Sequence, residues 1–409
     1  MLTRPAAAEG DVPTPPGLSS ITVLGGCGHV GLPLGIAFAE RGHHVTLVDT
    51  STERVASVQA GRLPFIERGA DAILVEVLAA GRLSATSDTA SIGESDVVVV
   101  CLGTPLDDHL DPEVFAFDRA MDGLLDRMRD GQMLVLRSTV FPGLTERLGR
   151  WIERRGLRID LAYCPERIAQ GFSLVELRKL PQLVSGTTPA AASRASLLFA
   201  SLGAKVIRLA PLEAELGKLF ANAYRYANFA IANQFYTMAE RFGVSYPTIH
   251  AALTDDYPRL AGLAHAGFVG GPCLLKDTMQ LAAFNQSNFI LGQAAMMVNE
   301  GLPSFIVERI RATRDLRTSV VGIVGMAFKG NSDDFRDSPA YKLQKILTIS
   351  CEQVLCTDPY IRDPAFLPLE EVVARSDVLV LGACHDEYRA LRTHKPLIDV
   401  FNFIEEDRA

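Results

Sequence analysis

The hydrophobic pattern changes period twice along the chain. Between residues 20 and 210, short apolar runs recur, among them "SDVVVVCLGTP" (95 to 105), "QMLVLRSTVFPG" (132 to 143), "IDLAYCPER" (159 to 167) and "AKVIRLA" (204 to 210), with helical stretches between most of them. Continuous apolar runs of this length read as strands buried on both faces, and their alternation with helices predicts a doubly wound parallel sheet. From Pro211 the spacing becomes helical: "PLEAELGKLFANAYRYANFAIANQFYTMAERFGVS" has no internal proline. At about 1.5 Å per residue it predicts one helix roughly 45 Å long, enough to bridge two domains and to pair with a copy of itself. Beyond it, "TSVVGIVGMAFKGNSDDFRDSPAYKLQKIL" (318 to 347) returns to strand, glycine turn and helix, and the strands "QVLCTDPY" (353 to 360) and "SDVLVLGAC" (376 to 384) complete a smaller α/β domain.

The first unit, "SSITVLGGCGHVGLPLGIAFAERGHHVTLVDT", is a complete βαβ crossover with Gly26, Gly28 and Gly31 in G-x-G-x-x-G spacing. In such a turn the first glycine bends the chain, the second lets a pyrophosphate approach the helix N-terminus, and the third lets helix and strand pack closely. Asp49 ends the next strand, 18 residues past Gly31, where a carboxylate binds the ribose 2'-hydroxyl of NAD. Gly26, Gly28, His29, Val30 and Gly31 therefore form the expected cofactor turn, with the side chains of Cys27 and His29 as bystanders. The later unit lacks the third glycine, since Gly322 and Gly325 are followed by Phe328-Lys329-Gly330; it is expected to hold a different phosphorylated ligand. The fold class is thus α/β, with two Rossmann-like doubly wound domains joined by a long central helix. The expected domains are a disordered tail (1–19), an NAD-binding domain (20–210), a central helical dimerisation region carrying the cysteine loop (211–314), and a C-terminal Rossmann-like domain for the second phosphorylated ligand (315–409).

Composition narrows the partners. Forty basic against 48 acidic residues give a net charge of -8, and no Lys/Arg block is long enough to suggest a phosphate-backbone groove, so nucleic acid is not expected. No apolar run approaches the roughly 18 to 20 residues that span a bilayer. The tail carries Pro5, Pro13, Pro15 and Pro16 but no signal-peptide core, which points to the cytoplasm. The seven cysteines are an odd number, widely spaced and without C-x-x-C, so neither a disulfide framework nor a metal site is expected.

One cysteine stands in an unusual setting. In "GFVGGPCLLKDTMQLAAF" (267 to 284), Cys273 follows Gly270, Gly271 and Pro272 and stands just ahead of a predicted helix. Bare glycines let a ligand approach, and the positive pole of a helix favours the thiolate. By themselves these residues leave open an inert loop thiol. On the long helix, Lys218 and Asn222 are four apart and share a face beside Gly217, so they are suited to an oxyanion and a water, though a solvated lysine and a surface asparagine would show the same spacing. The apolar residues Leu216, Leu219, Phe220, Ala223, Ala227, Ala230 and Ile231 exceed what one domain face needs and predict a homodimer.

With these motifs in place, the chain resembles the UDP-glucose/GDP-mannose dehydrogenase family over about residues 20 to 403. "GCGHVGLPL", "STVFPG", "CPERIAQG", "KLFANAYR", "GFVGGPCLLKD" and "GMAFKGNSDDFRDSP" stand in the family's order. The resemblance implies NAD-dependent, four-electron oxidation of the C6 alcohol of a nucleotide sugar to a carboxylate. It implies Cys273 as nucleophile, Lys218 and Asn222 as the oxyanion and water-positioning pair, and Asp277 as the carboxylate beside the water. Glu166 is implied as the base of the last step, and Thr139 as a hydroxyl near that water. Thr104 and Thr139 are assigned to the cofactor, and Arg336 to its pyrophosphate. Glu166, Lys218, Asn222, Gly270 and Lys329 are assigned to the substrate, with Arg259 entering the partner subunit's site. Lys276-Asp277 follows the glucose branch whereas "DDYPRLAGL" looks like the N-acetylhexosaminuronate branch, so UDP-hexose and UDP-N-acetylhexosamine both stay open. The rivals are a two-electron 3-hydroxyacid or 6-phosphogluconate type of dehydrogenase, which needs no thiol and no second α/β domain, and an inactive NAD-binding scaffold.

Overall fold

A computed structural model of the chain describes residues 20–405, so the expected tail lies outside the described residues. The chain divides into two compact units, one holding the chain through Pro105 and Pro112–Lys218, the other Leu106–Asp111 and the chain from Leu219 onward. The division falls inside the predicted long helix, which forms as one element, Pro211–Arg241.

The first unit contains strands β1 (Ser20–Leu24), β2 (His44–Val48), β3 (Leu83–Thr86), β4 (Val97–Val100), β5 (Met133–Leu136), β6 (Asp160–Tyr163), β7 (Gln182–Gly186) and β8 (Val206–Arg208). They form one sheet in the order β3-β2-β1-β4-β5-β6-β7-β8. Strands β1 to β6 are parallel, β7 runs antiparallel to β6, and β8 is parallel to β7. β3 and β7 were not foreseen, because "LSAT" and "QLVSG" are too short and polar to stand out as apolar runs. The strand order reverses between β1 and β4, the place where open α/β sheets bind ligands. The apolar run Val97-Val98-Val99-Val100 shows how both faces are filled. Val97 and Val99 enter one core layer with Ile21, Leu47 and Phe38, while Val98 and Val100 enter the opposite layer with Leu134, Leu136 and Met121. A period of two with every position apolar is what a sheet covered on both faces requires.

The second unit is built on β9 (Val320–Val324), β10 (Gln353–Thr357), β11 (Val378–Leu381) and β12 (Leu397–Ile398), all parallel, in the order β10-β9-β11-β12. Here too alternate residues part, Val321 and Ile323 into one cluster and Val324, Leu379 and Leu381 into the other. The same unit packs the long helix against the helix Ile290–Thr313 through a buried amide pair: Asn233 Nδ2 donates to Asn299 Oδ1 at 2.9 Å, and Asn299 Nδ2 donates to the Tyr226 carbonyl at 3.1 Å. Buried amides are tolerated only when paired, and this pairing sets the helices in one register.

The face of the long helix turned to its own core differs from the expectation. Leu219, Ala223 and Ala230 are buried within the chain, and Phe220, Tyr224, Ile231, Phe235 and Met238 make up the exposed apolar stripe. Recurrence near every third or fourth residue puts them along one side of the helix.

Near its start this helix anchors the first unit. The fully buried Glu215 accepts the amides of Gly143 (2.6 Å) and Thr145 (2.8 Å) and the Thr145 hydroxyl (2.6 Å), filling the N-terminus of the helix Leu144–Arg154. Burial raises its carboxyl pKa, against the pull of those three donors. Replacing Glu215 by Ala strands the donors in the interior and is expected to cost about 3 kcal/mol, measured as a lower urea midpoint for the transition of this unit.

Candidate active site

The glycine turn is shaped by close approach. A Cβ on Gly31 would lie 2.3 Å from the Gly25 carbonyl oxygen and one on Gly26 2.7 Å from Leu47 Cβ, so both positions exclude a side chain. Gly28 is different: its Cβ would meet only the Gly25 oxygen at 3.4 Å, which leaves its outer side open for a phosphate. The helix Gly31–Glu40 begins at Val30 without a side-chain cap, so its first amides are not taken by the chain's own side chains. Asp49 ties this turn to the next, accepting Cys27 N–H (3.0 Å) on one oxygen and Ser51 N–H (3.0 Å) on the other. Each oxygen keeps a second lone pair. The His29 ring packs on Phe65 at 4.0 Å between centroids, in keeping with a bystander side chain. These residues fit an NAD dinucleotide.

Two strand-end loops of the same unit meet through Thr104, whose hydroxyl donates to the Thr139 carbonyl at 2.7 Å. Glu166 sits nearby in sequence to the end of β6 and is nearly filled. Its Oε1 accepts Arg167 N–H (2.5 Å) and Ile168 N–H (2.7 Å), and its Oε2 pairs with the Arg137 guanidinium. Arg137 is fully buried, donates to the Cys164 (2.9 Å) and Pro165 (3.2 Å) carbonyls and to Gln182 Oε1 (3.1 Å), and lies over the Phe199 ring. Sequence reading passed over Arg137, although a lone arginine directly after the apolar run "MLVL" signals a buried charge in need of a partner.

In the second unit the thiol loop is held at both ends by the long helix. Asn233 Oδ1 accepts Gly267 N–H at 2.9 Å, and Asn222 Nδ2 donates to Asp277 Oδ2 at 2.6 Å. Eleven residues are close to three turns, so the two amides lie on one side of the helix. Between these anchors, Cys273 is the N-cap of the helix Leu274–Phe284, as its sequence setting predicts. Asp277, fully buried on the first turn, also pairs with Lys276 Nζ at 2.7 Å. Of the seven cysteines only Cys273 is exposed. Burial pushes Cys27, Cys101, Cys164 and Cys356 up to about 12 and raises Cys351 and Cys384 as well, which keeps those six protonated and unreactive. Arg336 lies near enough to Cys273 for their charges to interact, while Asp334 grips its guanidinium at 2.9 and 2.6 Å. Gly270 and Gly271 are bare for packing: a Cβ on Gly270 would lie 2.5 Å from Pro339 Cδ, and one on Gly271 2.7 Å from the Phe328 ring. Gly271 N–H also donates to the Asp337 carbonyl at 3.2 Å.

The UDP-glucose/GDP-mannose dehydrogenase family's NAD binding domain matches residues 19–203, its central domain 212–301 and its UDP binding domain 322–406. The chain belongs to that family. It is 32% identical over 406 residues to a UDP-N-acetyl-D-mannosamine dehydrogenase of Pyrococcus horikoshii, covering 94% of this chain and 96% of that one. An NDP-N-acetyl-D-galactosaminuronic acid dehydrogenase of Ralstonia nicotianae is 28% identical, with 92% and 93% covered. Among solved structures, the UDP-D-ManNAc dehydrogenase of Pyrococcus horikoshii superimposes with a TM-score of 0.88 at 31% identity, covering 95% of this chain and 96% of that one. A UDP-glucose dehydrogenase of Pyrobaculum islandicum gives 0.87 at 26%, covering 96% of each.

The chain is therefore an NAD-dependent oxidoreductase acting on a nucleotide sugar. The match to the family's UDP binding domain covers β9 to β12. On that domain Lys329 is partly buried with Nζ over the Phe328 ring. Arg259 is exposed on the short turn Pro258–Leu260, its Nη1 3.3 Å from the Tyr257 hydroxyl. Among the described residues no cluster of ligating side chains is placed to hold a metal ion, and no helix is long and apolar enough to cross a membrane.

A 2'-phosphate placed at Asp49 would meet a carboxylate already oriented by two amides. Catalytic efficiency with NAD is expected to exceed that with NADP by roughly a hundredfold, about 3 kcal/mol; comparable steady-state values for the two cofactors would contradict this.

Proposed function

We propose that the chain oxidises the C6 alcohol of a UDP-N-acetylhexosamine to the uronic acid, with Cys273 carrying the intermediate covalently. One observation carries this reading: the single exposed thiol of the chain caps a helix whose first turn bears a buried aspartate, and that aspartate is gripped by Asn222. Supporting the sugar, relatives named UDP-N-acetyl-D-mannosamine dehydrogenase are 26 to 32% identical, against 26% for a UDP-glucose dehydrogenase.

The chemistry explains the need for a thiol. Alcohol to acid is a loss of four electrons, and since each NAD would accept one hydride, two NAD molecules would be consumed per sugar. An aldehyde has no second hydride to give until a nucleophile adds to its carbonyl, which a thiolate does better than water. Cys273 Sγ adds to C6, and the carbonyl oxygen gains a proton from the side of Lys218, whose ammonium supports the developing negative charge. Loss of hydride from C6 and of the hydroxyl proton leaves a thioester on Cys273. Water then attacks C6, the C–S bond breaks, and acid and free thiolate result. Asn222 and Asp277 orient that water. The base is assigned to Asp277 or a water it holds, with Glu166 as the other candidate, although Glu166 already accepts three donors, one of them a guanidinium.

The same reading makes the protein a homodimer working in the reducing cytoplasm, where its seven free cysteines stay reduced. A continuous exposed row of Phe220, Tyr224, Ile231, Phe235 and Met238 supports the dimer. Arg259, exposed on its turn, is assigned to the partner subunit's substrate.

Turnover of UDP-N-acetyl-D-mannosamine should release two NADH per sugar with little free aldehyde. Cys273→Ala should bind NAD normally and lose acid formation by about four orders of magnitude. A ratio of one, or near-native acid yield from the alanine variant, would defeat the covalent reading. Independently, sedimentation at micromolar concentration should show a dimer, and Phe235→Glu should shift it toward a monomer of 44.3 kDa.

A further inference from the structure

The two α/β units end their second strand with the same residue type and use it differently. Asp49, after β2, is half-exposed and binds two amides. Asp358, after β10, has a fully buried side chain that accepts five donors. They are Met326 N–H (2.7 Å), Ala327 N–H (3.0 Å), Tyr360 N–H (2.9 Å), Ile361 N–H (3.0 Å) and His385 Nε2 (3.1 Å). Burial acts to raise its pKa, but the His385 hydrogen bond and the backbone donors bring it below the ordinary carboxylate value. A carboxylate so occupied has no capacity left for a ribose hydroxyl.

The histidine in this pair is itself fully buried and spoken for on both sides. Its Nδ1 accepts Asn331 N–H at 2.9 Å, so Nε2 carries the proton and donates to Asp358. Asn331 stands in the left-handed region (φ 54°), an uncommon state for a residue other than glycine. Its side chain donates to Asp386 Oδ2 (2.8 Å) and accepts Asp386 N–H (2.9 Å). Next to it, a Cβ on Gly330 would lie 2.0 Å from the Cys384 carbonyl oxygen, so backbone presses on backbone. The segment from Lys329 to Asn331 is thereby fastened along one side to residues 384–386.

We propose that His385 is a positioning residue for substrate: through Asn331 N–H it holds the segment Lys329–Asn331 in the conformation that meets the phosphates of the nucleotide sugar. The proposal rests on the reading of this domain as the nucleotide-sugar site with Lys329 as a ligand. His385 touches neither substrate nor cofactor in this account; Asp358 fixes its tautomer, and its Nδ1 sets the loop.

Full-length variants titrated calorimetrically with UDP and, separately, with NAD test it. His385→Ala should weaken UDP binding about tenfold, the worth of one well-placed charged contact, and leave NAD binding within about twofold, a factor small on the same scale. His385→Asn, whose Oδ1 reproduces the acceptor at the Nδ1 position, should restore most of the UDP affinity. His385→Gln, which reproduces only the donor toward Asp358, should not. A role in packing alone would instead make the Asn and Gln variants equal, or move NAD and UDP together, and either result overturns the proposal. Should the alanine variant fail to fold, the Asn and Gln variants decide alone: a UDP affinity lower in His385→Gln than in His385→Asn supports the proposal, and equal affinities overturn it. Lys329→Met is the separate check on the underlying reading. If it weakens UDP while His385→Ala does not, positioning by His385 fails; if it leaves UDP untouched while the His385 variants behave as described, only the lysine's role falls.

Discussion

Two asparagine amides on one side of a single helix hold the reactive loop, and much else in the second unit depends on them. Asn233 fixes Gly267, where the loop begins, and Asn222 fixes Asp277, just past the thiol. A helix is the stiffest ruler a chain can make, so the spacing of the anchors does not change when the loop is loaded. Both amides are buried and have specific partners, so the geometry with these bonds made is favoured over any slipped register. Cys273 then needs little support of its own: it stands at the helix start because the residues on either side of it have nowhere else to go.

The remaining precision comes from backbone approaching backbone. Gly26 and Gly31 let the first turn fold onto its own strand, Gly270 and Gly271 let the thiol loop lie against Phe328, Asp337 and Pro339, and Gly330 lies against Cys384. At each of these places a methyl group would force the chain apart. The buried charges work similarly. Arg137, Glu215 and Asp358 each gather several backbone groups at the end of a strand or the start of a helix, where orphan donors and acceptors collect. A charged side chain in such a place is tolerated because hydrogen bonds offset much of its desolvation.

The two Rossmann-like units show how one scaffold is turned to different ligands. Both place an aspartate after the second strand. Where that aspartate keeps open lone pairs, a ribose can be bound; where five donors consume it, the turn becomes a rigid support for its neighbouring loops.

Local pattern was enough to determine a good deal: the alternation of strands and helices, the glycine turn with Asp49, the unbroken helix from Pro211 to Arg241, and Cys273 at a helix start. Each depends on residues near one another in sequence, where period, chain reversal and helix polarity act directly. Strands β3 and β7 were invisible because their place is decided by pairing with distant neighbours rather than by apolar content. The tertiary structure alone decided which cysteine is most accessible, since the six others are buried or partly buried, which no local window reveals. It also decided which face of the long helix is covered, that the glycines before Cys273 answer to Phe328 and Pro339, and that Arg137, Asp358 and His385 serve as supports. Those facts arise from contacts between residues tens of positions apart, and a side chain's solvent and partners exist only once the chain has brought them together.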